Sequence, residues 1–268
     1  MIQEKIHFIG GGQMAEAIIR ASLANHTLSA DQVSVSDINE ARLQFLNTKY
    51  GIDTKSSQED SLSTADLIVI AVRPQDDLGT LGQAVQQFAR PSAAIVSIVA
   101  GVTNEQLAGY FGANRSIIRV IPNTLTDTGY GYSGVALNAH ASSDQVEPFL
   151  LGFGKVQYLD ETLMDIFTGF GVAGPNYIYY FIESFVDAGV LAGLPREQAW
   201  KVALENMMGS VAMLQQTGLH PRQLLDINNS PGGVGMHGLY ALNNSDFAAG
   251  LQKSVLAAVK RTTELGVK

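Results

Sequence analysis

The chain contains no cysteine among its 268 residues, which excludes disulfides, thiolate nucleophiles and cysteine-ligated metals. Charge is also scarce, because charged residues make up only 16% of the composition. The 17 basic residues are outnumbered by 25 acidic ones, so that the formal net charge is -8. An acidic surface argues against nucleic acid or an anionic membrane as a partner.

Histidine clusters, a signal sequence and long apolar runs are missing as well. The five histidines are scattered without ligand spacing, so no metal site is expected. The N-terminus lacks a basic region followed by a signal-peptide core, and no stretch is long and apolar enough to cross a bilayer. We therefore expect a soluble cytoplasmic protein, and the 46% of apolar residues predict a large buried core.

A glycine-rich turn lies between an apolar run and a helix-like stretch near the N-terminus. The segment Gly10-Gly11-Gly12-Gln13-Met14-Ala15 fits the pattern G-x-G-x-x-A of dinucleotide-binding turns. Gly10 would allow the tight turn, and Gly12 would let the backbone approach a pyrophosphate. An ordinary glycine-rich turn is the alternative. The expected cofactor contacts here are Ile9, Gly10, Gly12, Gln13 and Met14.

The first half of the chain alternates strand-like and helix-like segments, which is typical of a doubly wound parallel sheet. The predicted strands are Ile6–Ile9, Val33–Ser36, Leu67–Val72, Ala94–Val99, Ile117–Ile121 and Gly134–Leu137. The predicted helices are Met14–Leu23, Glu40–Tyr50, Gln75–Phe88 and Asn104–Phe111. The sequence therefore predicts an α/β fold that begins with a Rossmann-type domain.

After about residue 160 the pattern becomes helical, with predicted helices Asn176–Leu191, Arg196–Gln216 and Phe247–Leu265. The first of these is apolar on more than one face, which indicates burial on all sides. We therefore expect a dinucleotide-binding domain over residues 1–160. An all-helical dimerisation domain over residues 161–268 would share its helices with a second subunit. A self-contained helical cap is the alternative.

Three further segments end predicted strands at the edge where ligands bind in such sheets. Asp37 would accept hydrogen bonds from the adenosine ribose and repel a 2'-phosphate, which favours NAD over NADP, unless it is a helix N-cap. Arg42 could still serve that phosphate. Ala71-Val72-Arg73-Pro74 would border the cofactor, with Pro74 at the first position of the next helix. Asn123 would bond a nicotinamide or a substrate.

The segment Ser230-Pro231-Gly232-Gly233 precedes a helix in the second half. Consecutive backbone N–H groups in a glycine-rich turn at a helix start bind anions. We expect this turn to bind the carboxylate of a substrate. His237, one turn into the helix, is either an acid or a surface histidine.

Taken together, these segments resemble the pyrroline-5-carboxylate reductase family over essentially the whole chain. The family's A-V-K-P segment is here Ala71-Val72-Arg73-Pro74, and its M-P-N-T-P segment is Ile121-Pro122-Asn123-Thr124-Leu125. Its G-P-A-Y turn is here Gly174-Pro175-Asn176-Tyr177. Its S-P-G-G element falls at Ser230–Gly233.

The resemblance implies reduction of the C=N bond of 1-pyrroline-5-carboxylate, a small cyclic imine carboxylate, to proline with NADPH or NADH. No metal or side-chain nucleophile is required, and a homodimer or larger homo-oligomer is implied. The expected catalytic residues are Asn123, Ser230, Gly232 and Gly233. The expected substrate contacts are Gly174, Pro175, Ser230, Gly232, Gly233, Val234 and Gly235.

Departures from the family pattern lie in the loops expected to meet the substrate. Where the family has S-P-G-G-T-T, this chain continues with Val234-Gly235, so both hydroxyls are missing. The second hydroxyl is the one expected to touch the substrate. Three functions therefore stay open: reduction of the five-membered imine, reduction of another cyclic imine or imino acid by a divergent paralogue, and nucleotide binding without catalysis.

Overall fold

The computed structural model describes residues 2–54 and 57–266. Its strands are β1 (Ile6–Ile9), β2 (Val33–Ser36), β3 (Leu67–Ile70), β4 (Ala94–Ser97), β5 (Ile117–Pro122), β6 (Tyr132–Leu137) and β7 (Lys155–Tyr158). Within the described residues they form one sheet in the order β2-β1-β3-β4-β5-β6-β7. Strands β1 to β5 are parallel, β6 is antiparallel to β5, and β7 is parallel to β6.

The helices up to residue 167 are α1 (Gln13–Ala24), α2 (Glu40–Tyr50), α3 (Gln58–Thr64), α4 (Leu78–Phe88), α5 (Asn104–Phe111), α6 (Glu147–Leu150) and α7 (Met164–Phe167). A π-helical segment, Thr168–Val172, follows. The later helices are α8 (Gly174–Leu191), α9 (Arg196–Thr217), α10 (Pro221–Asn228), α11 (Val234–Asn243) and α12 (Phe247–Gly266). The predicted fold class, a Rossmann-type sheet followed by a helical region, is confirmed.

The sheet is covered on both faces, because alternate residues of its central strands enter two separate apolar cores. Phe8 and Val69 belong to a core with Ile18 of α1. Ile68, the neighbour of Val69, belongs to the other core with Val85 of α4. Strands β1, β3 and β4 are buried at every position, as expected of parallel strands between two helical layers.

Two compact units make up the chain. The first runs to Ala173 and also includes the segment from Ala257 onward, and the second is Gly174–Leu256. The predicted domains, residues 1–160 and 161–268, stay a prediction. Among the described residues, no helix is long and apolar enough to cross a membrane.

The predicted start of the fourth helix is wrong. A helix from Gln75 was expected, with Pro74 at its first position, whereas α4 begins at Leu78. The reason is that two aspartates satisfy backbone groups before it. Asp76 accepts a hydrogen bond from the backbone N–H of Arg73 at 2.9 Å, which holds a turn. Asp77 accepts one from the N–H of Thr80 at 3.0 Å and thereby caps the helix.

Candidate functional site

The sheet order places a crevice at the carboxyl ends of β1 and β3. Strand β1 lies between β2 and β3, and Ile9 pairs with both Ser36 and Ile70, so the three strands end level with one another. The chain leaves β1 toward β2 on one side and reaches β3 on the other. Such a reversal is the point where open parallel sheets bind their ligands.

The glycine turn has the geometry expected of a phosphate cradle. Gly10 has a φ of +100°, and a Cβ there would lie 2.6 Å from the carbonyl oxygen of Ala71, so only glycine fits. A Cβ on Gly12 would meet no atom of the residues that the structure describes within 4 Å, which leaves the backbone open to a ligand. Helix α1 begins at the next residue, Gln13, and directs its free N–H groups to this space. The turn therefore fits a pyrophosphate.

Asp37 binds the glycine turn rather than capping helix α2. Its Oδ2 accepts a hydrogen bond from the N–H of Gly11 at 2.7 Å, and its Oδ1 accepts one from the N–H of Asn39 at 2.9 Å. Asn39 is the residue that caps α2, through the N–H of Arg42. The carboxylate thus lies at the end of β2 beside the turn, where the ribose of a dinucleotide is expected.

Arg42 holds the same turn from its other side. Its Nε donates to the carbonyl oxygen of Gly11 at 2.5 Å, and its Nη2 donates to that of Gly12 at 3.2 Å. The Nη2 also pairs with the carboxylate of Glu16 at 2.5 Å. The guanidinium is therefore already engaged by the protein on three sides.

Glu16 lies at the centre of the contacts between α1 and α2, and the sequence alone does not predict a role for it. Burial alone would raise the pKa of its carboxyl, but hydrogen bonds from Tyr50, Arg42 and Lys49 outweigh burial and lower the pKa to about 2. The Tyr50 hydroxyl donates to Oε1 at 2.6 Å, and Lys49 Nζ lies 3.1 Å from the same oxygen. These contacts join α1 to α2, and no spacing in the sequence signals them.

The segment after β3 borders the turn through its backbone. A Cβ on Gly10 would also lie 3.3 Å from Val72 Cγ1, so Ala71 and Val72 line the crevice. The Arg73 side chain is 70% exposed and pairs with Asp76 at 2.8 Å. This contact confirms neither a cofactor role nor a free surface charge for Arg73.

Asn123 is fully buried at the end of β5. Its Oδ1 accepts hydrogen bonds from the backbone N–H groups of Leu125 at 3.1 Å and Tyr132 at 3.3 Å. These bonds fix the orientation of the amide, whose Nδ2 is buried and has no hydrogen-bond partner among the described residues. The amide oxygen thus holds the loop, and both N–H groups of Nδ2 are left for a ligand.

The expected anion turn belongs to the second unit, at the start of α11. Gly232 has a φ of +68°, which favours glycine. The N–H of Gly233 donates to the carbonyl oxygen of Ser230 at 2.9 Å, so this amide closes the turn instead of facing a ligand. Within the described part of the chain, the N–H groups of Gly232, Val234 and Gly235 donate no hydrogen bond. They are the amides available to a carboxylate.

Two other predicted residues, Gly174 and Pro175, form the first turn of α8. Pro175 is buried, and a proline fits there because the first N–H groups of a helix have no partner within it. His237 is exposed on α11, and its backbone N–H donates to Gly233 at 3.3 Å. The roles of these residues stay predictions.

Comparison with known proteins gives matches in both halves of the chain. A family model described as pyrroline-5-carboxylate reductase dimerisation matches residues 161–265. A second, described as NADP oxidoreductase, coenzyme F420-dependent, matches residues 5–101.

Curated relatives that match over the full length include pyrroline-5-carboxylate reductases from several organisms. The chain is 33% identical to a pyrroline-5-carboxylate reductase of Synechocystis sp., over 98% of this chain and 99% of the relative. It is 32% identical to that of Escherichia coli, with the same coverage of both chains. The crystal structure of Plasmodium falciparum pyrroline carboxylate reductase with NADP bound has a TM-score of 0.87 and 29% identity, and covers 99% of each chain.

Proposed function

Because the chain belongs to the pyrroline-5-carboxylate reductase family, we propose that it reduces 1-pyrroline-5-carboxylate to L-proline with NADH or NADPH. It is accordingly an oxidoreductase of proline biosynthesis. The observation that carries the proposal is the end-to-end match to reductases of this name, in a chain with a phosphate turn at Gly10–Gln13 and free amides at Gly232 and Val234.

The residues of the first unit fit a nicotinamide dinucleotide. The open backbone at Gly12 and the start of α1 would hold the pyrophosphate, and Asp37 would hold the adenosine ribose. The unpaired Nδ2 of Asn123 would donate to the nicotinamide amide or to the substrate. When bound, the reduced nicotinamide supplies a hydride for the carbon of the C=N bond.

The second unit would hold the substrate by its carboxylate. The free N–H groups of Gly232, Val234 and Gly235 and the positive end of the α11 dipole favour an anion. A protonated cyclic imine accepts a hydride readily, so the protein has mainly to orient the two reactants and to favour the charged ring nitrogen. Ser230 stays a predicted substrate contact.

We propose further that NADH is the preferred coenzyme. The carboxylate of Asp37 would repel a 2'-phosphate where it would accept bonds from ribose hydroxyls. Arg42, the nearby cation, is bound to Gly11, Gly12 and Glu16 and so has little left for a phosphate. A higher kcat/KM with NADH than with NADPH would agree with this preference, and the reverse order would refute it.

We also propose that the protein is cytoplasmic, in keeping with the biosynthetic role of the proposed reaction. We propose in addition that it is a homodimer or a larger homo-oligomer. The helices of the second unit expose large apolar side chains, among them Tyr180, Leu191, Ile227 and Tyr240. Patches of this kind mark interaction surfaces. Light scattering that gives a monomer mass at micromolar concentration would refute the assembly.

Loss of NADH or NADPH absorbance on addition of the five-membered imine tests the reaction. Turnover with proline as product is expected, and no rate above background with either coenzyme would refute it. One observation favours a second candidate, because the substrate turn carries an exposed Val234 and a Gly235 where hydroxyls are usual in the family. Faster turnover of a six-membered cyclic imine would select the divergent paralogue.

A further inference from the structure

The side chain of Asn229 lies directly over the first turn of α11. A Cβ built on Gly235 would overlap Asn229 Oδ1 and would lie 3.1 Å from its Cγ. The carboxamide of Asn229 therefore occupies the volume that any side chain on residue 235 would need. Asn229 and Gly235 are a matched pair, because the present position of the Asn229 amide is compatible only with glycine at residue 235.

The orientation of this amide is determined by one hydrogen bond. Asn229 Nδ2 donates to the carbonyl oxygen of Leu225 in α10 at 2.6 Å. Because the donor side of the amide faces α10, the acceptor side faces Gly235. Only a nitrogen can donate to Leu225, so the reversed amide would place two oxygens in contact.

The acceptor side of the amide has no partner. Asn229 Oδ1 is buried and accepts no hydrogen bond from any described residue. Buried acceptors without a donor are unfavourable and rare in folded proteins, and each calls for an explanation. A hydrogen-bond donor on a ligand bound at this turn would supply one.

We propose that Asn229 Oδ1 accepts a hydrogen bond from the ring nitrogen of the substrate and is the specificity-determining contact that stands in for the missing side chain at Gly235. This inference rests on the proposed function. The free amides of Gly232 and Val234 would take the carboxylate, and the ring nitrogen of 1-pyrroline-5-carboxylate is bonded to the carbon that carries that carboxylate. An acceptor that lies against Gly235, in the helix turn that follows these amides, is thus placed for a nitrogen that carries a proton.

The chemistry of the acceptor makes the contact selective. A hydroxyl can donate to or accept from a ring nitrogen, whereas an amide oxygen can only accept. Asn229 therefore favours ligands whose ring atom carries a hydrogen, which are the protonated imine and the product amine. A ring oxygen at the same position has no hydrogen to offer.

Binding of two ligands that differ at this one ring atom tests the contact. The probes are L-proline and tetrahydro-2-furoate, titrated calorimetrically into the full-length protein with the oxidised coenzyme present. We expect Asn229→Ala to raise the dissociation constant of L-proline at least about tenfold, the loss of roughly one hydrogen bond to a charged group. The dissociation constant of tetrahydro-2-furoate should change less than about twofold.

Asn228→Ala is the matched control, because Asn228 is the exposed neighbour at the end of α10. It should change neither affinity. Equal weakening of both ligands by Asn229→Ala would show a merely structural role and overturn the inference, as would no weakening of either. Imine reduction by the unmodified protein, measured separately with NADH or NADPH, would show that the proposed function survives that result.

A second pair of variants tests the geometry if Asn229→Ala folds poorly. Gly235→Ala should lower the affinity for L-proline because its methyl group displaces the Asn229 amide. Asn229→Ser in the same background should restore the melting temperature by removing the overlap, without restoring selectivity for L-proline over tetrahydro-2-furoate. A Gly235→Ala variant with unchanged affinity and stability would contradict the proposed placement of the amide.

Discussion

Because of His7, the free energy of unfolding is expected to depend on pH between about pH 6.5 and about pH 4. It lies in β1, only 1% exposed, with its ring nitrogens 2.8 Å from Ser34 Oγ and 3.1 Å from Ser36 Oγ. Burial lowers the pKa of the imidazole from 6.5 to about 4, although the charge of Asp53 acts in the opposite direction. The folded chain therefore keeps this ring neutral under mildly acidic conditions.

The sign of the effect follows from proton binding by the two states. Above pH 6.5 the ring is neutral in both, and below it the unfolded chain binds a proton that the folded chain does not bind until about pH 4. Stability is therefore lost as the pH falls between these values. The loss is about 2 kcal/mol at about pH 5 and approaches about 3 kcal/mol at lower pH.

Urea unfolding across this range measures the loss, with His7→Gln as the control. Glutamine can still bond the two serine hydroxyls but does not titrate, so the His7 contribution is the difference between the two pH profiles. The unmodified protein should lose about 2 kcal/mol more than the variant between about pH 7.5 and about pH 5. Parallel profiles would show that His7 is not held neutral and would refute the reasoning.

Three further predictions concern the coenzyme side and the core. Gly12→Ala should fold with an unchanged melting temperature, because its Cβ meets no atom, yet weaken coenzyme binding at least about tenfold in calorimetry; a normal affinity would contradict the phosphate cradle. Asp37→Ser should shift the NADH-to-NADPH ratio of kcat/KM toward NADPH by about tenfold, and an unchanged ratio would remove Asp37 from coenzyme selection. Arg119→Met should cost about 2–3 kcal/mol in urea unfolding, because Arg119 is 2% exposed and pairs with Glu161 and Asp165; a neutral result would mean that the pairs add nothing to stability.

The sequence predicts the first two parallel strands well, although β1 is buried at every position and the edge strand β2 only at alternate ones. Ile6–Ile9 and Val33–Ser36 agree with β1 and β2 to the residue. The edge strand β7 was missed because exposed residues, such as Lys155, alternate with half-buried ones, so that it has no apolar run. Helix α3 was missed because its sequence is polar and buries Leu62 as its one large apolar side chain.

In the candidate site, too, some features are predicted by the local sequence, and others depend on contacts between residues that are distant in the chain. The turn Gly10–Gln13 and the position of Asp37 follow from spacing along the chain. The bonds of Arg42 to Gly11 and Gly12, by contrast, depend on how α2 packs against α1, which no local pattern specifies. The unpaired oxygen of Asn229 depends on a hydrogen bond to Leu225, which sequence alone does not orient.

The measurement closest to the central claim follows the hydride into the product. The full-length protein would be supplied with 1-pyrroline-5-carboxylate and with NADH in which both hydrogens on the reactive carbon are deuterium, in parallel with NADPH labelled in the same way. Reduction of the imine predicts L-proline with one deuterium on the former C=N carbon, formed faster from NADH. Unlabelled proline, or no proline above background with either coenzyme, would contradict it.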